Sequence, residues 1–260
     1  METARSNVVN SLARGLSVLE SFERFGSREL SLTEISRRTS LSKTTAFRLA
    51  RTLVHLGYMK QDQETEKYFL TARVLNLGYS LLEGMEMREL AVPYLKELSA
   101  QCGETVNMAI LDGKELVYVE RLKTQQIINI NLHIGSRLPL YNTSMGRALI
   151  AYQPGQWLRK YISELPAQAK EYSEKRGRKL LDILRQARKK TYAINNEDLA
   201  RGLRSVATQI RNHKGEVVAA INIAVPSARV SLDELEKHYA PQLLVAAQQI
   251  SAALGYREPR

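Results

Sequence analysis

The chain has 260 residues, with 44% apolar and 25% charged side chains, enough for one large or two modest domains that each bury a core. Its single cysteine, Cys102, excludes an internal disulfide or a cysteine-built zinc site, and His55, His133, His213 and His238 lack metal-motif spacing. A net charge of +11 suits a polyanionic partner, yet the first 70 residues hold only 11 basic against 8 acidic side chains, so the excess is not gathered there.

No apolar run approaches a membrane span, and "METARSNVVNSLARG" lacks a leader's hydrophobic stretch. A cytoplasmic protein with no membrane partner is expected, carrying neither metal nor cofactor.

Three short helices are predicted first. "SLARGLSVLESFERF" places Leu12, Leu16, Leu19 and Phe22 or Glu23 at helical spacing, with Ser11 as a cap. "SLTEISRRT" opens with the capping-box pattern Ser31-Leu-Thr-Glu34. Only Ser40-Leu41 then precede a third helix, "SKTTAFRLARTLVH", capped by Ser42. Its apolar stripe is read as Ala46, Phe47, Leu49, Ala50, Leu53 and Val54, with Thr44, Arg48, Arg51 and His55 opposite. Two helices around so tight a turn, the second basic outside, describe a helix-turn-helix.

After Gly57 the pattern becomes two short strands, "YMK" and "KYFL", around the polar tip "QDQETE", which is a wing. The candidate DNA contacts are Arg14 on the first helix, Ser42, Lys43, Thr44 and Thr45 at the third helix's first turn, Arg48 and Arg51 along it, and Lys60 and Lys67 on the wing. Arg48 is the candidate for a base edge, since a guanidinium can pair with both acceptors of guanine.

"ARVLNLGYSLLEG" reads as an apolar linker helix, and "MRELAVPYLKELSAQCG" as another that Pro93 kinks or starts. From Glu104 the period becomes two, with hairpins around Asp112-Gly113 and Lys214-Gly215 and a further strand in "QQIININLHIG". "TSMGRALIAY" is a short helix, "KEYSEKRGRKLLDILRQARKK" an amphipathic one with a solvated basic face, and "SLDELEKHYAPQLLVAAQQISAALGY" a closing helix. The fold class is α+β, with 1–71 a winged helix-turn-helix domain, 72–85 the linker helix and 86–260 a second domain. Thr143 and Ser144 at a helix start can hold a carboxylate, and hydroxyls and amides on apolar strands can orient a ligand among Ile, Met and Tyr141.

Seven stretches in order resemble the IclR family of bacterial transcriptional regulators: "SLARGLSVLESF", "LTEISRRTSLSKTTAFRLARTLVHLGYM", "KYFLTARVLNLG", "ELVYVERL", "IGSRLPLYNTSMGRALIAY", "GLRSVATQIRNHKGEVVAAINIAVP" and "ISAALGY". The resemblance implies a GAF-like effector-binding domain with an antiparallel sheet. Its pocket would include Ile127 and Ile130, Tyr141, Ser144 and Met145, Asn195 and Ser205, and Asn222 and Ala224. The wording "SLARGL", "SKTTAFRL" and "YNTSMGR" is similar to regulators of aromatic-acid catabolism answering protocatechuate, 4-hydroxybenzoate or β-ketoadipate. "EKYFLT" and "PLYNT" are similar to regulators of sugar-acid catabolism, and a keto acid is a further alternative.

Two positions depart from the family. Ser40 stands where a glycine is usual, and Asn195-Asn196 replaces a more acidic pair. The expected partners are an operator duplex, a small organic acid and a second copy of the chain, as a dimer or dimer of dimers. An enzyme on the same fold is the competing class; no GxSxG, HExxH or Walker loop is present, and no catalytic residue is assigned.

Overall fold

The computed structural model describes residues 8–22, 29–123, 132–167, 169 and 180–257. It separates into two units, Met1–Gly84 and Met85–Arg260. In the first, α1 (Asn10–Glu20) starts at Val9 without a side-chain cap, so the cap expected of Ser11 is not made. It buries Val18, with Phe22 just beyond its end, while Leu12 and Leu16 stay exposed rather than joining the core.

Helix α2 (Leu32–Thr39) carries the capping box: Ser31 Oγ accepts from the Glu34 amide at 3.3 Å and the Glu34 carboxylate accepts from the Ser31 amide at 2.8 Å. The bond from the Ser31 amide holds the Glu34 carboxyl below its ordinary range. Helix α3 (Lys43–His55) begins at Ser42, whose Oγ accepts from the Thr45 amide at 3.2 Å. Between the two helices Ser40 sits at φ +56°, the left-handed conformation. Serine holds it at a cost of roughly 1 kcal/mol relative to glycine.

Strands β1 (Met59–Gln61) and β2 (Tyr68–Leu70) pair with Lys60 opposite Phe69. Leu30 adds a bridge to Tyr68 through reciprocal amide–carbonyl bonds of 3.0 and 2.8 Å. Val18, Ile35, Ala46, Ala50, Leu53, Met59 and Tyr68 form the common core. Helix α4 (Arg73–Glu83) follows, with Leu75, Leu77 and Leu81 exposed.

In the second unit α5 (Glu86–Cys102) continues past Pro93, so its start is Glu86 and not the proline. Six strands form one antiparallel sheet in the order β5-β4-β3-β8-β7-β6. They are β3 (Thr105–Asp112), β4 (Glu115–Leu122), β5 (Arg137–Pro139), β6 (Ala193–Asn196), β7 (Leu203–Arg211) and β8 (Val217–Pro226). Of the strand expected in "QQIININLHIG", residues up to 131 lie outside the described ones, and Leu132-His133 is not strand.

Helix α6 (Ser144–Ile150), buried throughout, lies on a sheet face lined by Ala109, Ala207 and Ala220. Alanines there let the helix approach the sheet closely. Helices α7 (Gly155–Ser163) and α8 (Leu180–Lys190) back it with Leu158, Tyr161, Leu184 and Ala187. Residues 170–179 of the basic segment lie outside the described ones.

The closing helix is broken into α9 (Leu232–Glu234), a π-helical stretch Leu235–Tyr239, and α10 (Ala240–Ala253). Helices α5 and α10 pack together and against the sheet. The alternate residues Ile221, Ile223 and Val225 are fully buried beneath that second cover. No described helix is long and apolar enough to cross a membrane.

Candidate functional site

On α3 the side chains of Lys43, Thr44, Arg48, Arg51 and His55 are exposed, as is the capping Ser42, and Thr45 is half-buried. Among the described residues, none of Lys43, Arg48 and Arg51 is paired with a carboxylate. Phe47, expected in the core stripe, is instead 40% exposed, and the Arg51 guanidinium lies 5.7 Å from its ring centroid. The outer face is therefore aromatic as well as basic. On the wing Lys60 is exposed and packs over Phe69, with Nζ 5.4 Å from the ring centroid. Lys67 Nζ is bonded to Glu29, and that carboxylate raises its pKa. Arg14 faces outward on α1.

The second constellation is a cavity between α6 and the sheet. Among its lining residues are Ser144 and Met145 of α6, Asn195 of β6, Ser205 of β7, and Asn222 and Ala224 of β8. These are six of the nine residues expected there. Tyr141 is not in the lining; it packs half-buried beside Leu140 and α6. Ile127 and Ile130 lie outside the described residues.

The register explains the convergence. Asn107 on β3 stands opposite both Arg121 on β4 and Asn222 on β8, while Ser205 stands opposite Ala224 and Asn195. A polar stripe thus crosses five strands of an otherwise apolar face. Its members bond to one another: Asn107 Nδ2 donates to Asn222 Oδ1 at 2.7 Å, and Ser144 and Ser205 hydroxyls are 2.7 Å apart. Asn195 Nδ2 donates to the Asn142 carbonyl at 2.5 Å, and Asn196 accepts from Arg204 instead of facing the cavity.

Thr105, Asn107, Tyr118 and Arg121 also line the cavity and were not expected to. Arg121 escapes an alternation reading because β4 holds a bulge. Tyr118 pairs with Ala109 but Arg121 with Asn107, so residues three apart on β4 share one face. The extra residue is held from outside, where Arg88 Nε donates to the Val119 carbonyl at 3.0 Å and Nη2 to Glu120 at 2.7 Å. Burial pushes the Tyr118 phenol up to about 12.

The loop entering α6 is fixed by Gly146 and Arg147. A Cβ on Gly146 would lie 2.4 Å from the Leu140 carbonyl oxygen and 2.4 Å from Thr143 Oγ1, so no side chain fits. Thr143 Oγ1 accepts from the Gly146 amide at 3.1 Å. The Arg147 guanidinium, 3% exposed, donates to the carbonyls of Tyr141 and Ile194 and to Asp198. Cys102 is half-buried, and burial pushes its thiol up, away from reactivity.

Two family models match this arrangement, the IclR helix-turn-helix domain over residues 11–63 and the bacterial transcriptional regulator IclR C-terminal domain over residues 79–252. The chain belongs to the IclR family. It is similar to the Pca regulon regulatory protein of Pseudomonas putida, 35% identical over 95% of this chain and 85% of the relative. It is also similar to the transcriptional regulator KdgR of Escherichia coli K12, 32% identical over 89% of this chain and 88% of that one.

A crystal structure of a transcriptional regulator from Rhodococcus sp. RHA1 superposes with a TM-score of 0.80 at 37% identity, over 95% of this chain and 98% of that one. This IclR-family protein is thus a ligand-responsive transcription regulator, which binds DNA and a small-molecule effector, and not an enzyme. Among its described residues no group of three or more histidine, cysteine or acidic side chains is placed to hold a metal ion.

Proposed function

We propose that this regulator acts in the cytoplasm on a catabolic operon, reading its operator with the outer face of α3 and the wing and answering a small aromatic or related organic acid bound under α6. The carrying observation is the convergence of α6 and the polar stripe on one cavity whose described lining contains no acidic side chain. An anionic ligand meets no repulsion there. The Pca regulon relative and the aromatic-acid wording of the sequence support the aromatic class. A sugar acid is the second reading, favoured by the wording "EKYFLT" and "PLYNT".

A two-fold operator would be met by a dimer or a dimer of dimers. Exposed apolar residues on α1 (Leu12, Leu16) and on α4 (Leu75, Leu77, Leu81) support such pairing between copies. Lys43 and the hydroxyls of Ser42, Thr44 and Thr45 are suited to phosphates, and Arg48 and Arg51 to the groove.

The test selects duplexes from a random pool with the full chain, then titrates them across a salt series with and without aromatic, keto and sugar acids. A defined half-site, a steep salt slope and an affinity change with aromatic acids are expected. A response confined to sugar acids reverses the ranking of effectors. Selection of no sequence at all ends the operator reading.

A further inference from the structure

Arg121 is half-buried and differs from the fully buried polar members of the stripe. Its Nη1 donates to Asn107 Oδ1 at 2.8 Å, yet its Nε is buried with no hydrogen-bond partner. The neighbouring Glu120 is turned to the opposite face and held by Arg88. The other lining residues are amides, hydroxyls and apolar groups, so among the described residues no carboxylate neutralises Arg121.

A guanidinium N–H removed from water normally takes a carboxylate or a carbonyl, because an unmet charge-bearing donor costs more than an ordinary lost hydrogen bond. Desolvation lowers the pKa of Arg121, which is the direction expected for a cation with no anion beside it.

We infer that Arg121 is the anion anchor of the effector pocket, and that its free Nε–Nη2 edge takes the ligand carboxylate in a two-point fork. The anchor rests on the acid-effector reading above and adds to it the residue and the end of the ligand involved. Asn107 orients the guanidinium by occupying Nη1, and Asn222 in turn fixes the Asn107 amide by accepting its Nδ2 hydrogen. The relay Asn222–Asn107–Arg121 crosses three neighbouring strands, β8, β3 and β4. The fork therefore stands on the sheet, opposite the side of the cavity that α6 supplies. A planar acid would place its carboxylate on Arg121 and the rest of its body toward Met145, Leu199 and Leu203. Arg prefers carboxylates in this side-on geometry, where Lys offers only a point charge.

The experiment measures ligand-induced thermal shifts and calorimetric binding on the full chain. The probes are 4-hydroxybenzoate, protocatechuate, pyruvate and gluconate, and the methyl ester of any acid that binds. Three variants are compared with the wild type: Arg121→Gln, Arg121→Lys and Asn107→Asp. An acid that binds the wild type should bind Arg121→Gln about 30-fold or more weakly, with Arg121→Lys between. The methyl ester should bind weakly to both proteins and discriminate little between them.

Asn107→Asp keeps Arg121 but supplies a carboxylate beside it, with the Asn222 amide turned over so that its Nδ2 donates to the new carboxylate. It should raise the ligand-free melting temperature and abolish the acid's shift, which a generally damaged pocket would not do. If an acid binds the wild type and Arg121→Gln equally, the anchor is wrong while the acid effector stands. If no acid in the panel shifts the wild type, the acid effector and the anchor fall together.

Discussion

The outer face of α3 and the floor of the proposed effector pocket both carry arginine, but under different physical conditions. Arg48 and Arg51 stand in solvent, where an unpaired charge costs little and is free to exchange water for phosphate or a base edge. Arg121 is half-buried on a strand lining the cavity, where its Nε has lost water without gaining a partner. A surface reader can thus be assembled from side chains whose charges need no carboxylate partner. The proposed pocket instead rests on a chain of mutual hydrogen bonds, with one edge of Arg121 left over.

The largest effect expected from breaking this contrast is at Gly146. Gly146→Ala forces a methyl group into the Leu140 carbonyl and Thr143 Oγ1, which should cost about 3 kcal/mol and lower the second unit's melting temperature by roughly 6–12 °C. Calorimetry that finds two transitions should show only the one from Met85–Arg260 moving. Next is Arg48→Ala, which should narrow the gap between selected and scrambled duplex by about 1–3 kcal/mol. Anisotropy titrations with both duplexes read this directly, and an unchanged gap would move the base contact elsewhere on α3.

Ser40→Gly should relieve the left-handed strain in the helix-turn-helix and stabilise the first unit by about 1 kcal/mol, seen as a rise in its melting temperature. Phe47→Ala should weaken operator binding roughly threefold, through lost apolar contact with a thymine methyl. Replacing each operator thymine by uracil in turn should reproduce that loss at one position and add nothing to the variant. Smallest is the wing. Lys60→Ala should reduce the salt slope by about 0.9, the value of one phosphate contact. Lys67→Ala should reduce it less, because Glu29 already holds that ammonium.

Most of the first unit was legible because its signals are local. The Ser31–Glu34 box and the Ser42 cap depend on residues within one turn, and both form. Periodicity misplaced Phe47, Leu12 and Leu16, since an apolar residue at a helix margin faces the core only if another element reaches it. In the second unit the "TSMGR" loop was readable from its residues. Arg121 was hidden by a bulge, which shifts register between Met108 and Ala109 and reverses the face of everything after it on β4. The same lesson holds for Pro93, where tertiary packing carries a helix past a residue that local rules make a boundary.

The bonding of Arg147 also sets how the chamber can deform. One guanidinium grips the Tyr141 carbonyl ahead of α6, the Ile194 carbonyl on β6 and the Asp198 carboxylate beyond that strand. Helix and edge strand are thereby riveted into one plate. A molecule that wedges α6 upward must lift β6 along with it, so the seat works as a stiff lever and not as a loose flap.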